Sequence, residues 1–220
     1  MVPILGYWKI RGLAQPIRYL LEYVGQGYDE KLYDIGPAPD FDRTSWTNVK
    51  FNLDLPLPNL PYYIDGDLKL TQSYAILRHL GRKYDLCGKN EKQVTMVDML
   101  MDHARDMRRG FAMLCYFNYT EEKKKEYLST LPNIFKPLSE IIGDRPWFTG
   151  DKITLADFVM YEEIFVHLSL DPGCLKDFPK LEAFLKRFEE LPAIKNFMTS
   201  PRHIKSAINM PYAKFHSFPE

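Results

Sequence analysis

The sequence predicts a small mixed α/β domain followed by an all-helical domain. Three observations support this division. Short strand-like runs alternate with helical patterns through residues 1–83. The composition changes at residues 84–90, YDLCGKN, which is typical of a linker. Over residues 91–220 apolar positions recur at helical spacing and strand signals are almost absent, so the second domain, which includes a C-terminal tail, is predicted to be all-α.

The first three elements form a β-α-β unit. Ile4–Tyr7 is a short apolar run, which predicts a buried strand, and residues 28–33 predict a second strand. The helix between them is expected to carry Pro16 in its first turn, where a missing N–H is tolerated, and Gly25 at its C-terminal cap. Its apolar positions follow helical spacing: Leu13, Ile17, Leu20, Leu21 and Val24.

A hairpin and a helix complete the first domain. The runs Tyr62–Ile64 and Leu68–Leu70 flank Asp65-Gly66, a strong hairpin signal. Helical periodicity then covers residues 73–84. One β-α-β unit plus a hairpin predicts a four-stranded mixed sheet with helices packed on it. An irregular loop rich in Pro and Asp, DIGPAPDFDR, joins the two parts.

The helical domain contains one clear helix start. Thr154 is placed as an N-cap with Asp157 three positions later, which predicts a structural capping box rather than a catalytic pair. Residues 181–188 predict another amphipathic helix, and Pro132 is expected to interrupt an earlier one. The long apolar stripe at the start of the domain comprises Val94, Val97, Met101, Ala104, Met107, Phe111 and Leu114.

Composition and charge exclude several classes of function. Lys+Arg and Asp+Glu both number 29, and neither domain is polarised, which argues against a nucleic-acid partner or an anionic membrane surface. No apolar run is long enough to cross a bilayer, and the N-terminus lacks the pattern of a signal peptide. The three cysteines lie far apart without metal-type spacing, so we expect reduced thiols, no bound metal and a cytoplasmic location.

Pro61 stands at the entry of a predicted strand, where proline is unusual. A trans proline at an edge strand is one interpretation. The other is a cis bond between Leu60 and Pro61, which would leave the Leu60 backbone unpaired and facing outward, ready to bind an extended, peptide-like ligand.

Gln72 and Ser73 stand where the next helix begins. Ser73 alone would be interpreted as a helix N-cap. Beside an open strand edge, however, the free N–H groups and positive dipole end of the helix could hold a carboxylate at Ser73 while the amide of Gln72 binds an amine. The pair would then hold an amino-acid zwitterion.

A cationic set lies in RTSWTNVK, where Arg43, Trp46 and Lys50 are spaced as on one face of a helix. A solvated helix face is one interpretation. The alternative is a clamp in which two cations and an indole N–H bind a carboxylate.

Tyr7 and Trp8 end the first strand, at the edge where open α/β sheets place ligands. This turn contains no cysteine, so a thiol substrate could bind there without disulfide chemistry of the protein's own. The Tyr7 hydroxyl could donate a hydrogen bond to a bound thiolate, or it could be a satisfied buried phenol.

Taken together, these motifs resemble those of mu-class cytosolic glutathione transferases. The resemblance runs from Val2 to about Arg202 in the expected order. The Pro-Asn-Leu-Pro…Gln-Ser stretch is typical of the superfamily, and Gly-Tyr-Trp with the long loop at 34–43 is typical of the mu class. The segments that carry the resemblance are ILGYWKIRGLAQPIRYLLEY, DIGPAPDFDRTSW, PNLPYYIDGDLKLTQSYAIL, RPWFTGDKITLADF and FPKLEAF.

The resemblance implies a thioredoxin-like N-terminal domain, a helical C-terminal domain and a homodimer. It also implies that Tyr7 stabilises the glutathione thiolate, that Pro61 is cis, and that glutathione is a co-substrate with no metal or other cofactor. The implied glutathione-binding residues are Trp8, Arg43, Trp46 and Lys50 at the glycyl end, Asn59 and Leu60 along the backbone, and Gln72, Ser73 and Asp106 of the partner subunit at the γ-glutamyl end.

The second substrate implied is a hydrophobic electrophile, held between the two domains. Arg105, Arg108 and Arg109 are predicted to share a helix with Tyr116, where salt bridging is one interpretation and lining a pocket mouth the other. The resemblance assigns Arg105 and Arg109 to this site. The implied electrophile-binding residues are Tyr7, Trp8, Ile10, Leu13, Ile35, Arg105, Arg109, Ala112, Tyr116 and Met210.

Two departures from the family pattern stand out. Relatives usually place an aromatic residue before Pro-Asn-Leu-Pro that locks into the partner subunit, whereas Leu57 stands there in this chain. A leucine offers less buried area, so we expect a weaker lock. The tail after Pro201 also differs, with Asn209-Met210-Pro211 where relatives build part of the pocket wall.

Three functions stay open at this point. The first is an enzyme that conjugates glutathione to hydrophobic electrophiles. The second is a carrier of hydrophobic ligands with little turnover, and the third is an isomerase that uses glutathione transiently. The complete glutathione constellation around Tyr7 favours the first, with which non-catalytic binding can coexist.

Overall fold

A computed structural model describes residues 1–218. Its first elements are strand β1 (Ile4–Trp8), helix α1 (Gln15–Tyr23) and strand β2 (Asp29–Tyr33). β1 and β2 run parallel, from the pair Ile4 and Asp29 to the pair Trp8 and Tyr33. Pro16 lies in the first turn of α1, and Gly25, with a φ of 68°, follows its C-terminus, so both predictions for this helix are confirmed.

The predicted hairpin is present, with its turn displaced by one residue. β3 (Tyr62–Asp65) pairs antiparallel with β4 (Leu68–Thr71), and Asp65 faces Leu68 in the ladder. The two-residue turn is therefore Gly66-Asp67, where Gly66 supplies the positive φ of 61° that this turn needs. The sheet order is β2-β1-β3-β4, which confirms the predicted four-stranded mixed sheet.

Gly6 explains how the centre of the sheet is packed. A Cβ at this position would lie 2.1 Å from the ring of Tyr62 on the neighbouring strand. The Tyr62 ring therefore lies directly across β1, and its hydroxyl is 2.9 Å from that of Tyr33 on β2. This contact links β3 to β2 across β1, in the same apolar cluster as Tyr7.

The remaining elements are helical. A short helix α2 (Thr44–Thr47) precedes the hairpin and α3 (Ser73–Lys83) follows it. The second domain contains α4 (Glu91–Met113), a π-helical turn (Leu114–Asn118), α5 (Glu121–Ile142), α6 (Leu155–His167), α7 (Pro179–Glu189) and α8 (Pro192–Thr199).

The expected interruption at Pro132 is wrong, because α5 continues through both Pro132 and Pro137. Both prolines lie on the exposed side of the helix. Each removes one backbone hydrogen bond there, but water can satisfy the carbonyl that is left. The buried face, with Leu131, Phe135 and Leu138, holds the helix in place.

Helix α6 is the centre of the second domain, since nearly all its residues are buried. Its N-terminus has the predicted capping box: the Thr154 N–H donates to the Asp157 carboxylate at 2.7 Å. The same carboxylate accepts the Phe148 N–H at 2.9 Å. In the described residues, no helix combines the length and apolar character that a bilayer crossing requires.

Candidate functional site

Tyr7 lies near the end of β1 with its side chain buried, and its hydroxyl faces the end of the turn that leads to α1. The Leu13 backbone N–H donates a hydrogen bond to the Tyr7 hydroxyl oxygen at 3.0 Å. Because the oxygen already accepts this bond, the hydroxyl proton is oriented away from the backbone. The geometry therefore presents Tyr7 as a hydrogen-bond donor.

Burial keeps that donor in its neutral form. Loss of hydration raises the pKa of Tyr7 above its ordinary value, and the Leu13 N–H and the positive charges of Arg108 and Arg18 only partly offset this. At neutral pH the hydroxyl thus keeps its proton. A neutral phenol can donate to an anion but is not a base.

Gly12 leaves room for the Tyr7 hydroxyl. Its φ is 43°, and a Cβ there would lie 2.6 Å from the hydroxyl oxygen. Both the backbone conformation and the space exclude a side chain. Spacing in the sequence does not reveal this constraint, because the close contact exists only once the turn has folded.

The bond between Leu60 and Pro61 is cis, as the second interpretation of this proline required. One detail of that expectation is wrong: the Leu60 N–H is not unpaired, because it donates to the Asn59 side-chain oxygen at 2.9 Å. Leu60 is buried and Asn59 is exposed. The Asn59 side chain thus satisfies this backbone donor.

Gln72 and Ser73 form the start of α3, but neither caps it with a side-chain hydrogen bond. Gln72 is exposed and has a φ of 69°, a conformation that is uncommon for a residue with a side chain. Ser73 is the first helical residue and is buried, so the N-cap interpretation of its hydroxyl is wrong. Strained backbone next to an uncapped helix end is typical of binding sites.

Arg43, Trp46 and Lys50 do not share one face of a helix, because α2 covers only Thr44–Thr47. Arg43 precedes the helix and is exposed, whereas Lys50 follows it and is half-buried. Trp46 is buried, with its ring 5.2 Å from Tyr33 and 6.1 Å from Tyr62. The buried Trp46 ring therefore holds residues 43–50 against the sheet, and Arg43 and Lys50 lie at the two ends of this segment.

The residues predicted on α4 are mostly exposed. Arg105 approaches the Asp102 carboxylate at 3.7 Å, which matches its salt-bridge alternative, and Asp106 and Arg109 are exposed. Ala112, one turn further, is half-buried. In contrast, Arg108 is buried and donates to Glu163 on α6 at 2.9 Å.

The second domain reaches the Tyr7 side of the sheet through Tyr116 and the C-terminal segment. The Tyr116 hydroxyl oxygen accepts the Met210 N–H at 2.8 Å. Tyr116 and Tyr7 are close enough for a charge on one to raise the pKa of the other. Met210 is buried in the same apolar cluster as Tyr7 and Ile10, with the half-buried Ile35 and Trp8 packed against it.

A cavity of about 220 Å³ opens beside this cluster. It is lined by Ile10 and Ile35, two of the residues predicted for the electrophile, and by Asn209 and Pro211 from the C-terminal segment. Lys9, Asp34 and His216 make its rim polar. Leu13 is partly exposed near the same turn. A larger cavity of about 570 Å³ lies elsewhere, between the 84–90 segment and the start of α6, and contains none of the predicted site residues.

Arg11 is a residue that sequence reasoning missed. Its guanidinium is fully buried and donates to both carboxylate oxygens of Glu162 on α6, at 3.0 and 2.5 Å. It also donates to the Ile204 carbonyl at 3.0 Å. The Arg11 N–H donates to the Ala207 carbonyl at 2.7 Å, and the Gly12 N–H to Ile208 at 3.1 Å.

These bonds attach the turn that follows Tyr7 to the second domain and to the C-terminal segment. The sequence carries no signal for this role of Arg11, because the carboxylate that it binds is 151 residues away. Tyr212 and Phe41 were also missed. They meet with ring centroids 5.8 Å apart beside Tyr116.

The thiols of the protein do not form part of this arrangement. All three cysteines are free, as predicted. Burial raises the pKa of both Cys115 and Cys174 to about 12, so neither is a nucleophile at neutral pH. In the described residues, no group of three or more His, Cys, Asp or Glu side chains is arranged to hold a metal ion.

Comparison with known proteins supports the assignment that this geometry suggests. Residues 3–82 match the glutathione S-transferase N-terminal domain, and residues 105–201 match the glutathione S-transferase C-terminal domain. Among solved structures, the gluthatione S-transferase Blo t 8 superposes with a TM-score of 0.88 at 31% identity, covering 97% of this chain and 99% of that one. The Onchocerca volvulus Pi-class glutathione S-transferase superposes with a TM-score of 0.79 at 35% sequence identity. The match covers 90% of this chain and 92% of that one.

Curated relatives narrow the class. Glutathione S-transferase Mu 6 of Mus musculus is 50% identical over 209 residues, 95% of this chain and 96% of the relative. Glutathione S-transferase Mu 1 of Bos taurus is 47% identical over 213 residues, 97% and 98% of the two chains. Glutathione S-transferase Mu 2 of Rattus norvegicus is 50% identical over 204 residues, which are 93% of this chain and 94% of the relative. The chain therefore belongs to the glutathione S-transferases, a family of enzymes, and within them to the mu class.

Proposed function

We propose that this protein conjugates glutathione to hydrophobic electrophiles and that Tyr7 stabilises the glutathione thiolate. The observation that carries the proposal is the Tyr7 hydroxyl: it is buried, neutral, and accepts the Leu13 N–H, so its own proton is available to an anion. A hydrogen bond to a thiolate lowers the pKa of the bound thiol. A larger fraction of glutathione then reacts as the nucleophile.

The reaction requires the glutathione thiolate and the close approach of the two substrates, and little else. The thiolate sulfur attacks the electrophilic carbon and forms a C–S bond. With a chloroarene the electrons of the C–Cl bond leave with chloride, and the proton of the thiol passes to solvent. Side-by-side binding of the two substrates supplies the remaining acceleration. Glutathione is a co-substrate, and the proposal requires no metal or other cofactor.

Glutathione would lie along the edge that runs from α2 to the start of α3. Its γ-glutamyl carboxylate would accept hydrogen bonds from the uncapped N-terminus of α3 at Ser73, and Gln72 would bind the amine. Leu60 and Asn59 would pair with its backbone. At the glycyl end Trp8, Arg43, Trp46 and Lys50 would contact the carboxylate.

The electrophile would enter the cluster formed by Tyr7, Trp8 and residues of the second domain. Its apolar contacts would be Ile10, Leu13, Ile35, Ala112, Tyr116 and Met210, with Arg105 and Arg109 at the mouth. Support comes from the cavity beside Ile10 and Ile35. Tyr116 and Met210, joined by a hydrogen bond, would form the wall opposite Tyr7.

A homodimer is also part of the proposal. Asp106 is exposed on α4, so its carboxylate can reach a neighbouring subunit, where it would bind the γ-glutamyl amine. Leu57 is 66% exposed in the single chain, which suits a side chain that docks into a partner. We further propose a cytoplasmic location, because the expected reduced thiols match the reducing compartment in which glutathione is abundant.

Thioether formation from glutathione and chlorodinitrobenzene tests the proposal directly. We expect Tyr7→Phe to lower kcat/KM by about 100-fold, as loss of one donor to a reacting anion does. The thiol pKa of bound glutathione, followed by thiolate absorbance, should rise in the same variant. Tyr161→Phe is the matched control, since Tyr161 is also buried and its hydroxyl donates to Glu189 away from the site.

Two results would contradict the proposal. An unchanged rate in Tyr7→Phe would remove Tyr7 from the chemistry. Retention of the wild type on immobilised glutathione, with negligible turnover over a panel of electrophiles, would favour a carrier of hydrophobic ligands instead.

A further inference from the structure

Four charged side chains form a buried chain between the turn after Tyr7 and the core of the second domain. Arg11 binds both carboxylate oxygens of Glu162, at 3.0 and 2.5 Å. Glu162 also lies 4.0 Å from the Arg108 guanidinium. Arg108 in turn donates to Glu163 at 2.9 Å. Positive and negative groups therefore alternate along this chain, which we call the buried quartet.

The quartet is almost completely excluded from solvent. The side chains of Arg11 and Glu162 are fully buried, and those of Arg108 and Glu163 are 9% and 3% exposed. Water and salt screen charges weakly in such surroundings. The position and charge of one member therefore act on neighbouring groups that a surface charge would leave unaffected.

The two ends of the quartet are held differently. The inner pair of Arg11 and Glu162 is joined by two hydrogen bonds. At the outer end, the Arg108 Nε–H donates to one oxygen of Glu163. Within residues 1–218 the two terminal nitrogens of Arg108 and the second oxygen of Glu163 are buried and have no hydrogen-bond partner. One hydrogen bond to Glu163 thus fixes the Arg108 guanidinium.

Arg108 places its positive charge on the second-domain side of the candidate site. It lies on α4, which leads into the π-helical turn that carries Tyr116, and its guanidinium lies 5.9 Å from the centroid of the Phe111 ring. The charge favours the anionic forms of Tyr7 and Tyr116 and so opposes the rise in the pKa of both. A thiolate bound to the Tyr7 hydroxyl would lie in the same field.

Glu163 does not fully cancel this charge. Burial and the neighbouring Glu162 raise the pKa of Glu163 to about 7, although Arg108 opposes the rise, so the carboxyl carries a proton for part of the time at neutral pH. The other groups that face Glu163 are uncharged at neutral pH, because burial raises the pKa of the tyrosines and lowers that of the histidine: Tyr74 on α3, Tyr127 on α5 and His167 on α6.

We propose that Glu163 is a positioning residue for the thiolate: the hydrogen bond that it accepts holds the Arg108 guanidinium, and with it a buried positive charge, on the second-domain side of Tyr7, where that charge favours the anionic form of bound glutathione. Either form of the Glu163 carboxyl can accept this bond, since both carry an oxygen without a proton. The inference rests on the proposed function.

Replacement of the whole pair separates electrostatics from structure. Apolar side chains of similar volume can replace a buried ion pair without loss of stability, so Arg108→Met combined with Glu163→Met should keep the wild-type midpoint of urea unfolding. The thiol pKa of bound glutathione, followed by thiolate absorbance, should nevertheless rise by about one unit, because the positive charge is gone. At a pH below that pKa, kcat/KM for chlorodinitrobenzene should then fall about tenfold.

Two single variants test the positioning itself. Glu163→Gln keeps an oxygen that accepts from Arg108, so the thiol pKa should stay at the wild-type value or fall slightly. Glu163→Leu removes the acceptor, and the thiol pKa should rise by about half a unit or more as Arg108 leaves its place. If the glutamine variant shows the same rise as the leucine variant, the hydrogen bond is not what positions the charge, and the inference fails.

The matched control is Tyr127→Phe. It removes the hydroxyl that lies 2.9 Å from the His167 ring on the same helix, and leaves the pair of Arg108 and Glu163 intact. A thiol pKa that rises in this variant as well would show general loosening of α6 and overturn the inference. The inference alone is refuted if the double variant, folded by circular dichroism and active, keeps the wild-type thiol pKa. A wild type that conjugates no electrophile refutes the proposed function instead.

Discussion

The position of the Tyr7 hydroxyl depends on two neighbouring residues that act through their backbone and not through a side chain. The Leu13 N–H fixes its oxygen, and the missing side chain of Gly12 leaves it room. The position of Tyr7 near the end of a buried strand could be predicted from the sequence, because the apolar run that precedes it is visible there. Gly12 and Arg11 could not, since their importance depends on contacts made across the folded turn and across 151 residues of chain.

Gly12→Ala should impair catalysis as well as stability. The new methyl group must move the Tyr7 hydroxyl, and the backbone φ of 43° adds strain of about 1–3 kcal/mol. We expect kcat/KM for chlorodinitrobenzene to fall at least about tenfold, since misplacement by about 1 Å is enough for a loss of this size. Gly27→Ala is the control, because a Cβ at Gly27 has no atom within 4 Å. Equal activity in the two variants would contradict the argument.

At the scale of single elements, predictions that depend on neighbouring residues are confirmed, whereas one that assumed a longer helix is wrong. The capping box of α6 and the proline in the first turn of α1 follow from neighbouring residues, and both are confirmed. The face assigned to residues 43–50 is wrong, because α2 ends at Thr47 and burial of Trp46 against Tyr33 decides its course. Spacing alone does not reveal where tertiary contacts end a helix.

Asp157 should be a large contributor to the stability of the second domain. Its buried carboxylate accepts the N–H groups of Thr154 and Phe148, yet loss of hydration still raises its pKa to about 6. Asp157→Ala leaves those buried donors unpaired, so we expect the free energy of unfolding to fall by about 3 kcal/mol in urea titrations. Asp157→Asn keeps one acceptor and should lose less. Equal losses would mean that packing, not hydrogen bonding, explains the effect.

His167, at the end of α6, should make stability depend on acidity. Its ring is buried between the Tyr127 hydroxyl at 2.9 Å and the Glu163 carbonyl at 2.6 Å, and burial lowers its pKa to about 4. The unfolded chain binds this proton near pH 6.5. Protons are therefore bound preferentially by the unfolded state between these values, and stability falls as the pH is lowered from about 6.5 to about 4.

The comparison with His167→Gln isolates this effect. Burial raises the pKa of Glu163 to about 7, which acts in the opposite direction but is present in both proteins. Across the window the wild type should lose up to about 3 kcal/mol more than the variant, measured by urea unfolding at each pH. Parallel curves for the two proteins would refute the assignment.

At the scale of the whole molecule, the buried pair of Arg11 and Glu162 joins the two domains. The two-domain organisation could be predicted, because the change from strand to helical patterns is visible in the sequence. How the domains meet could not, since a charged pair with no exposed surface leaves no pattern along the chain. The same holds for the contact between Phe41 and Tyr212, which involves two irregular segments.

The proposed dimer should be strengthened by Leu57→Phe. Leu57 is exposed in the single chain, and a larger aromatic side chain would bury more apolar surface in a partner. We expect the dimer Kd to fall about five- to tenfold, measured by sedimentation equilibrium, and to rise in Leu57→Ala. A Kd that does not change in either variant would place Leu57 outside the interface.

The hydrogen bonds that fix the turn beside Tyr7 also determine when, during synthesis of the chain, this turn can form. Their acceptors are the carbonyls of Ile204, Ala207 and Ile208, the first of them 193 residues after Arg11. The first domain is made well before these residues, which must leave the exit tunnel of the ribosome before that turn can take its final shape. The residue proposed to carry the chemistry is therefore synthesised long before its turn can be set. A nascent chain that stalls before residue 204 exposes a first domain in which the turn beside Tyr7 is not yet fixed.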